Sequence, residues 1–486
     1  MKTTIRRGSL AGPLVGLSLL ASPLYAQTMS FDQVLQKVVD HYPSLRTSEY
    51  QVERARQESI KVESTLGWQL NAQGGINHDL SLFGAPSNSV NLAGSLARKL
   101  DSGASLSFNA DINRTDSDYA ISPSLPNPAT TTSLDVQYRQ PLQRGVDNPD
   151  YVIAKDNADV QQRLASAERA SRYDQLASQL VDIYLGLARV LSQIANTEQA
   201  IVRSQRLQKY IARRFNLGLA EDKDRLQVEA QRKGQEATLQ TLKQAQVKQV
   251  VALNHLMGRE PQASLALQQP PAVFAQEDMQ LLALVQQHSP ALKSVDGRLE
   301  LAENGIRASR DARKDQLDLV MYLGNKTNAG DTAGASLNDS EVVGGMRLEY
   351  KRGLDRRGDD AQLYQAQLDR YAALSDKRQV LEDLKYNLAS LLAERDSVKQ
   401  TIQAYALSVS SEQKKLKDAE KRYRQGRTDT DQLIQFEAQL SAAELNLELQ
   451  RIELLGVEQK LRLLTGQLWD NIQYPALTLT EGYAKP

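Results

Sequence analysis

The chain of 486 residues contains no cysteine. Disulfides and thiolate metal sites are therefore excluded, as is the cysteine that anchors bacterial lipoproteins, so no lipid anchor is expected. Histidine is scarce: His41, His78, His255 and His288 are scattered, and no two stand at a metal-ligand spacing. Aromatic residues make up only 5% and the formal net charge is zero, so no basic excess draws the chain to nucleic acid. Long hydrophobic runs are missing as well. Beyond residue 26 no stretch approaches the roughly 18 apolar residues of a membrane-spanning helix. If the chain enters a membrane, it must do so as a β-barrel. The glycine-containing stretch 329–335 lacks the Lys and Ser/Thr of a phosphate loop and reads as a surface loop. No nucleophile–base constellation is visible, so the expectation is a non-enzyme without metal or cofactor.

Leu, Ala and Gln dominate, a composition suited to long helices. Residues 1–26 differ from the rest. Lys2, Arg6 and Arg7 precede an apolar run and the small residues Ala21, Ser22 and Ala26. This reads as a cleavable secretory signal peptide.

The remainder repeats itself. Asp40-His41-Tyr42-Pro43-Ser44-Leu45 resembles Gln287-His288-Ser289-Pro290-Ala291-Leu292 at an offset of 247. Arg214-Phe215-Asn216-Leu217-Gly218 resembles Arg422-Tyr423-Arg424-Gln425-Gly426 at an offset of 208. Two further matches, Glu229-Ala230-Gln231 with Glu437-Ala438-Gln439 and Leu256-Met257-Gly258 with Leu464-Thr465-Gly466, share that second offset. The offsets differ by 39, so the first half carries an insertion between its early and late landmarks. The domain reading is a first repeat over 27–258, a linker over 259–277, a second repeat over 278–466 and a tail over 467–486. Each repeat reads as a short helix, a helix of about 23 residues, a β segment (about 67–143 and 315–353), a very long helix and a helix of about 39 residues.

Period-2 alternation marks the β segments, for instance over 105–112 and 342–350. Asp101-Ser102-Gly103 fits a hairpin turn. The excess length reads as one more hairpin near 89–113, either in the wall of a sheet or as a flap beside it. Heptad spacing over Leu176, Leu180, Ile183 and Leu187, and over Leu433, Phe436, Leu440, Ala443 and Leu447, marks coiled-coil packing. The two shorter helices of each half together match the long one, at roughly 1.5 Å per residue, so they can stack end to end against it. A structural periplasmic coiled coil remains the alternative reading, although a signal peptide, a duplication and interposed strands are unusual there.

These landmarks, in order and twice over, resemble the TolC family of outer-membrane efflux proteins. The opening from Phe31 to Leu45 is similar to that family's first helix and its proline break. Gln140-Pro141-Leu142-Gln143-Arg144-Gly145 is similar to its strand-to-helix return, and the two Arg-to-Gly motifs to its tip turns. The resemblance implies a mainly α fold with a β-barrel part: duplicated long antiparallel helical hairpins form an α-barrel tunnel, and transmembrane strands, four per chain, close as a trimer. It implies an outer-membrane channel with a long periplasmic extension, giving passive passage in a tripartite efflux or type I secretion system. Its partners would be two further copies, a periplasmic adaptor, an inner-membrane pump and outer-membrane lipid, with the stretches 259–277 and 467–486 in an equatorial domain.

The resemblance also points to residues. Leu217, Gly218, Leu219, Gln425, Gly426 and Arg427 fall at the adaptor-contacting tips. Tyr423 and Asp224 fall at the periplasmic gate, where a hydroxyl donating to a carboxylate would make a latch. Arg427, Asp429 and Asp431 stand nearby. The two aspartates either replace an acidic ring, which would otherwise fall on Gln432 and Gln435, or cap the helix after the turn.

Overall fold

A computed structural model describes residues 28–80, 86–118, 125–218, 220–267 and 278–473. The expected signal peptide, Leu219 and parts of the two equatorial stretches, 268–277 and 474–486, lie outside the described residues. The first half comprises β1 (Thr28–Met29), α1 (Phe31–His41), α2 (Pro43–Ser64), β2 (Gln69–Leu80), β3 (Pro86–Lys99), β4 (Ser105–Ser117), β5 (Ala129–Pro141), α3 (Pro149–Asn216) and α4 (Asp222–Leu256). The second comprises β6 (Ala266–Leu267), α5 (Asp278–His288), α6 (Pro290–Ala312), β7 (Gln316–Asp331), β8 (Ser336–Lys351), α7 (Arg357–Arg424) and α8 (Thr430–Leu464), followed by a 3-10 turn at Gln467–Trp469.

Local chemistry sets the boundaries. Ser30 and Gln33 form a capping box that starts α1. Pro43, Pro149 and Pro290 occupy first-turn positions, where a missing N–H costs nothing. Neither 68-residue helix, α3 or α7, contains an internal proline, so each runs unbroken for about 100 Å.

The helices form four columns. α3 packs against α2 and α4 on one side and against α6 and α8 on the other, and α7 packs against α6 and α8. The column order is therefore α2/α4, α3, α6/α8, α7. Leu176, Leu180, Leu187, Leu433, Leu440, Ala443 and Leu447 of the heptad seams are buried. Ion pairs set the register between columns: Lys155 with Glu63, Arg163 with Glu300, Arg189 with Glu453 and Lys377 with Asp296.

The short helices seal the joints in the stacked columns. α1 buries Phe31, Val34, Leu35 and Val38 with Tyr173, Tyr184, Leu253 and Met257. α5 buries Leu281 and Val285 with Leu384, Leu388, Val457 and Leu461. The duplication extends to atomic detail. Gly258 and Gly466 both have φ in the left-handed region, and a Cβ there would lie 3.2 Å from His41 and 2.6 Å from His288. Each histidine ends a short helix and covers the glycine that ends the longer helix beside it. β1 and β6 pair in parallel and stitch the halves together.

The strands make one antiparallel sheet in the order β2-β3-β4-β5-β7-β8. Six strands stand where the family resemblance implies four. The extra pair is β3 and β4, which separate β2 from β5 and pair along their whole lengths. The expected loop at 329–335 is also shorter: Ala329 to Asp331 continue β7, because they pair with β5 or β8, and residues 332–335 make the turn.

The turn between β3 and β4 is locked onto the loop that leads into α3. Asp147 donates its backbone N–H to Ser102 at 3.1 Å, and the Asn148 amide donates to the Leu100 carbonyl at 3.3 Å. Gly103 has φ +83°, and a Cβ there would sit 2.1 Å from the Gly145 carbonyl oxygen. Gly103→Ala should therefore destabilise the joint by about 1–3 kcal/mol from backbone strain alone. Thermal melting of the purified protein should show the loss, while Gly234→Ala, at a helical position with open space, should not lower stability.

Candidate functional site

Three surfaces stand out: the two faces of the sheet, and the helical tips at the other end.

Side chains alternate across a strand, and the pairing keeps the alternation in register from strand to strand. Leu70 lies opposite Leu96, Leu96 opposite Phe108, Phe108 opposite Val136, and Val136 opposite Leu323. Ile76, Val90, Leu92, Ile112, Leu134, Met346 and Leu348 share this face. These apolar side chains are exposed; Ile76 is 82% accessible and Met346 77%. Trp68, Phe108, Tyr138 and Tyr350 collect on the apolar face at the helical end of the sheet, and Trp68 and Phe108 have ring centroids 5.9 Å apart. An exposed apolar band edged by aromatics is the pattern of a lipid-facing barrel wall.

The opposite face carries Gln69, Asn71, Gln73, Ser89, Asn91, Ser107, Asn109, Asp111, Ser133, Asp135 and Lys326. Near the helical end, Arg139 bridges three strands, reaching Asp318 at 2.8 Å and Glu349 at 2.7 Å. Such a face belongs in water. Neither β2 nor β8 has a partner on its outer side among the described residues, so the sheet ends in two open edges. No helix among the described residues is long and apolar enough to cross a membrane, and no group of three or more His, Cys, Asp or Glu could hold a metal ion.

At the far end, α3 turns into α4 and α7 into α8. Gly218 has φ +73° and Gly426 φ +72°, and a Cβ at either would meet nothing within 4 Å. The backbone conformation, not crowding, requires glycine there. Leu217 is 73% accessible, and Gln425 and Arg427 are exposed beside it.

The structure does not join Tyr423 to Asp224 within the chain. The Tyr423 hydroxyl lies 3.0 Å from that of Thr430, and the ring is buried with Leu207, Ile211, Val228 and Leu433. The Asp224 carboxylate instead accepts from the Glu221 backbone N–H at 3.1 Å, capping α4. Each group is held by a nearer partner in its own turn. Asp429 accepts from the Gln432 N–H at 2.8 Å and caps α8. Asp431 is exposed in the first turn of α8.

Three residues important here carry little sequence signal. The Arg214 guanidinium lies over the Tyr423 ring, 5.2 Å from its centroid, and donates to the Tyr423 carbonyl at 3.3 Å. It ties one tip to the other, and only its place in the repeat with Arg422 marks it. Thr430, the partner of Tyr423, follows a capping aspartate and looks ordinary. Glu437 is the third. Burial, with Glu420 adding and Arg203 opposing, pushes its carboxyl up to about 7.

No family model matches the chain, and no curated protein matches it in sequence. Solved structures do match its fold. The outer-membrane channel OprN has a TM-score of 0.67 at 15% identity, covering 90% of this chain and 89% of that one. The outer membrane protein VceC of Vibrio cholerae scores 0.64 at 15% identity, covering 90% and 95%. CusC, studied for the conformational changes that accompany its folding and transmembrane channel formation, scores 0.65 at 15% identity, covering 91% and 93%. This chain has the fold of outer-membrane channels.

The two faces of that channel fold should respond differently to charge. Leu92→Arg should cost about 2–4 kcal/mol in lipid, whereas Asn91→Arg, one residue away on the polar face, should cost little. Equilibrium urea unfolding in vesicles measures both, and equal costs would count against a lipid-facing band.

The tip should respond to pH. The folded chain holds the Glu437 proton more tightly than the unfolded chain does. Its stabilising contribution is complete below the ordinary carboxylate range and is lost as pH rises through about 7. Hydrogen exchange over residues 416–440, corrected for intrinsic rates, should be slower at pH 6 than at pH 8. Glu437→Gln should abolish the difference.

Proposed function

We propose that the chain is one third of a trimeric outer-membrane channel, the exit duct of a tripartite efflux or type I secretion system. Passage through it is passive and it is not an enzyme. The observation that carries this reading is that the chain is an open wedge in both of its layers, with the open edges on the same two sides. β2 follows α2, at the α2/α4 edge of the helical layer, and β8 leads into α7, at the other edge.

The helical edges are unfinished like the sheet. α7 exposes Tyr364, Leu368, Tyr371, Tyr386 and Leu407, and the α2/α4 column exposes Tyr50, Ile60, Leu226 and Val247. A head-to-tail contact between one edge and the other generates a closed ring when the rotation closes. The family resemblance supplies the number three. Closure removes the open strand edges, which lipid cannot satisfy. The ring has an apolar outside at the sheet, a polar inside, and a helical tunnel reaching about 100 Å into the periplasm.

The exposed tip residues Leu217, Gly218, Gln425, Gly426 and Arg427, with Leu219, are proposed as the docking points for a periplasmic adaptor that connects the duct to an inner-membrane pump. Asp224, Arg427, Asp429, Asp431 and Tyr423 are proposed to hold the resting gate closed. Tyr423 acts as an internal brace through Thr430, and the others act between neighbouring copies. An adaptor that binds open tips better than closed ones shifts the balance toward opening.

Cross-linking of the detergent-solubilised protein should stop at three, and planar bilayers should show small, steady conductance. Heat-resistant trimers that never conduct would instead favour a structural periplasmic coiled coil. Tyr423→Phe with Asp224→Ala removes bonds of about 1–2 kcal/mol each while keeping the packing. Single-channel conductance should rise, with stability lowered by no more than those two bonds and the trimer still formed. Unchanged conductance would move the latch to Arg427, Asp429 and Asp431.

A further inference from the structure

The helical layer and the sheet of one chain can be compared by the arc each must cover. Four helical columns at about 9–10 Å spacing cover an arc of roughly 36–40 Å. Strands lie about 4.8 Å apart, and at a tilt of about 40° each occupies roughly 6 Å of circumference. Six strands therefore cover about 37 Å, close to the helical arc, whereas four would cover only about 25 Å. The family resemblance itself sets four strands over four columns, so the arc admits either wall and the pairing of β3 and β4 decides.

Three observations place these strands in the wall and not in a flap. First, β3 is paired along its length on both sides, with Asn71 opposite Ser95 and Ser95 opposite Asn109. Second, the apolar row from Leu70 through Leu96, Phe108 and Val136 to Leu323 crosses the inserted strands without a change of face. A flap would break that row and pair β2 with β5. Third, the β3–β4 turn is bolted to the loop leading into α3, with Ala104 fully buried and Gly103 against the Gly145 carbonyl.

We propose that the exit barrel has eighteen strands, six from each of three chains, and that this wide, hydrated mouth serves a bulky water-soluble polymer as cargo. This rests on the trimeric channel proposed above. An eighteen-stranded wall has a backbone diameter of about 36 Å, against about 24 Å for twelve strands. Lining side chains take roughly 5 Å from each wall, leaving about 26 Å and about 14 Å respectively. The lining of the inserted strands is hydrogen-bonding and small: Ser89, Asn91, Ser95, Ser107 and Asn109, with Asp111. Such a surface stays wet and offers no apolar pocket to hold a small hydrophobic compound.

Excising residues 86–117 tests the idea. The topology allows it, because β2 ends and β5 begins at the same side of the sheet, and the same faces stay in register. Polyethylene glycols of graded mass are added only to the barrel side of channels in planar bilayers, so that the periplasmic gate does not set the limit. The largest polymer that enters and lowers the current gives the width. Because coil size grows as about the square root of mass, the cutoff of the excised channel should be about threefold lower in mass than that of the intact one. Equal cutoffs overturn the proposal. End-on electron cryomicroscopy of the intact trimer decides between the two walls even if the excised chain does not fold: eighteen strands support the proposal, and twelve with the hairpin outside the wall refute it. An intact protein that never conducts sinks the channel reading itself, whereas a conducting channel with a twelve-stranded wall sinks only this one.

Discussion

A sheet in lipid cannot leave a strand edge unpaired, because no water is present to satisfy the free N–H and C=O groups. Most of this structure follows from that constraint. The outward band of leucine, isoleucine and valine suits lipid only if β2 and β8 find partners, and among the described residues the chain offers them none. The helical layer meets the same requirement in water, where α7 and the α2/α4 column each expose a stripe of apolar side chains. The ring proposed above would complete both layers by one operation, and the chain is legible as a sector, not as a finished body.

The duplication explains how one chain covers so wide a sector. Each half has an unbroken helix and a jointed column, and each joint is sealed in the same way, by a short helix whose terminal histidine lies on a left-handed glycine. The joint needs glycine for two reasons at once, a positive φ and the face of an imidazole close by. That is why Gly258 and Gly466 keep their spacing from the tip glycines Gly218 and Gly426 in both halves.

Much of this was readable in the sequence, for identifiable reasons. Heptads and proline positions marked the helices, because a 68-residue periodic pattern has few competing interpretations. The alternation of Leu106, Phe108, Ala110 and Ile112 with Ser107, Asn109 and Asp111 marked a two-faced strand. Whether the hairpin joins the wall was not readable, because strand order depends on long-range pairing that alternation does not encode. The tip suffered most. A tyrosine and an aspartate aligned with a family's latch suggested a bond, but a hydroxyl goes to the nearest partner that packing allows, and Thr430 is closer in space than any motif could show. Arg214 and Glu437 were hidden in the same way, since charged residues on long helices are ordinarily solvated.

The insertion has a further consequence, for symmetry. With two similar halves per chain, a ring of three chains has nearly sixfold character along its helices and at its tips. The membrane end does not, because the first half contributes four strands and the second only two. The proposed trimer would thus be pseudo-hexagonal at its tips and strictly threefold at its sheet. The adaptor proposed above would meet two near-equivalent tips per chain. A molecule arriving at the mouth of that trimer would meet each distinct loop only once per chain, so recognition there would be counted in threes.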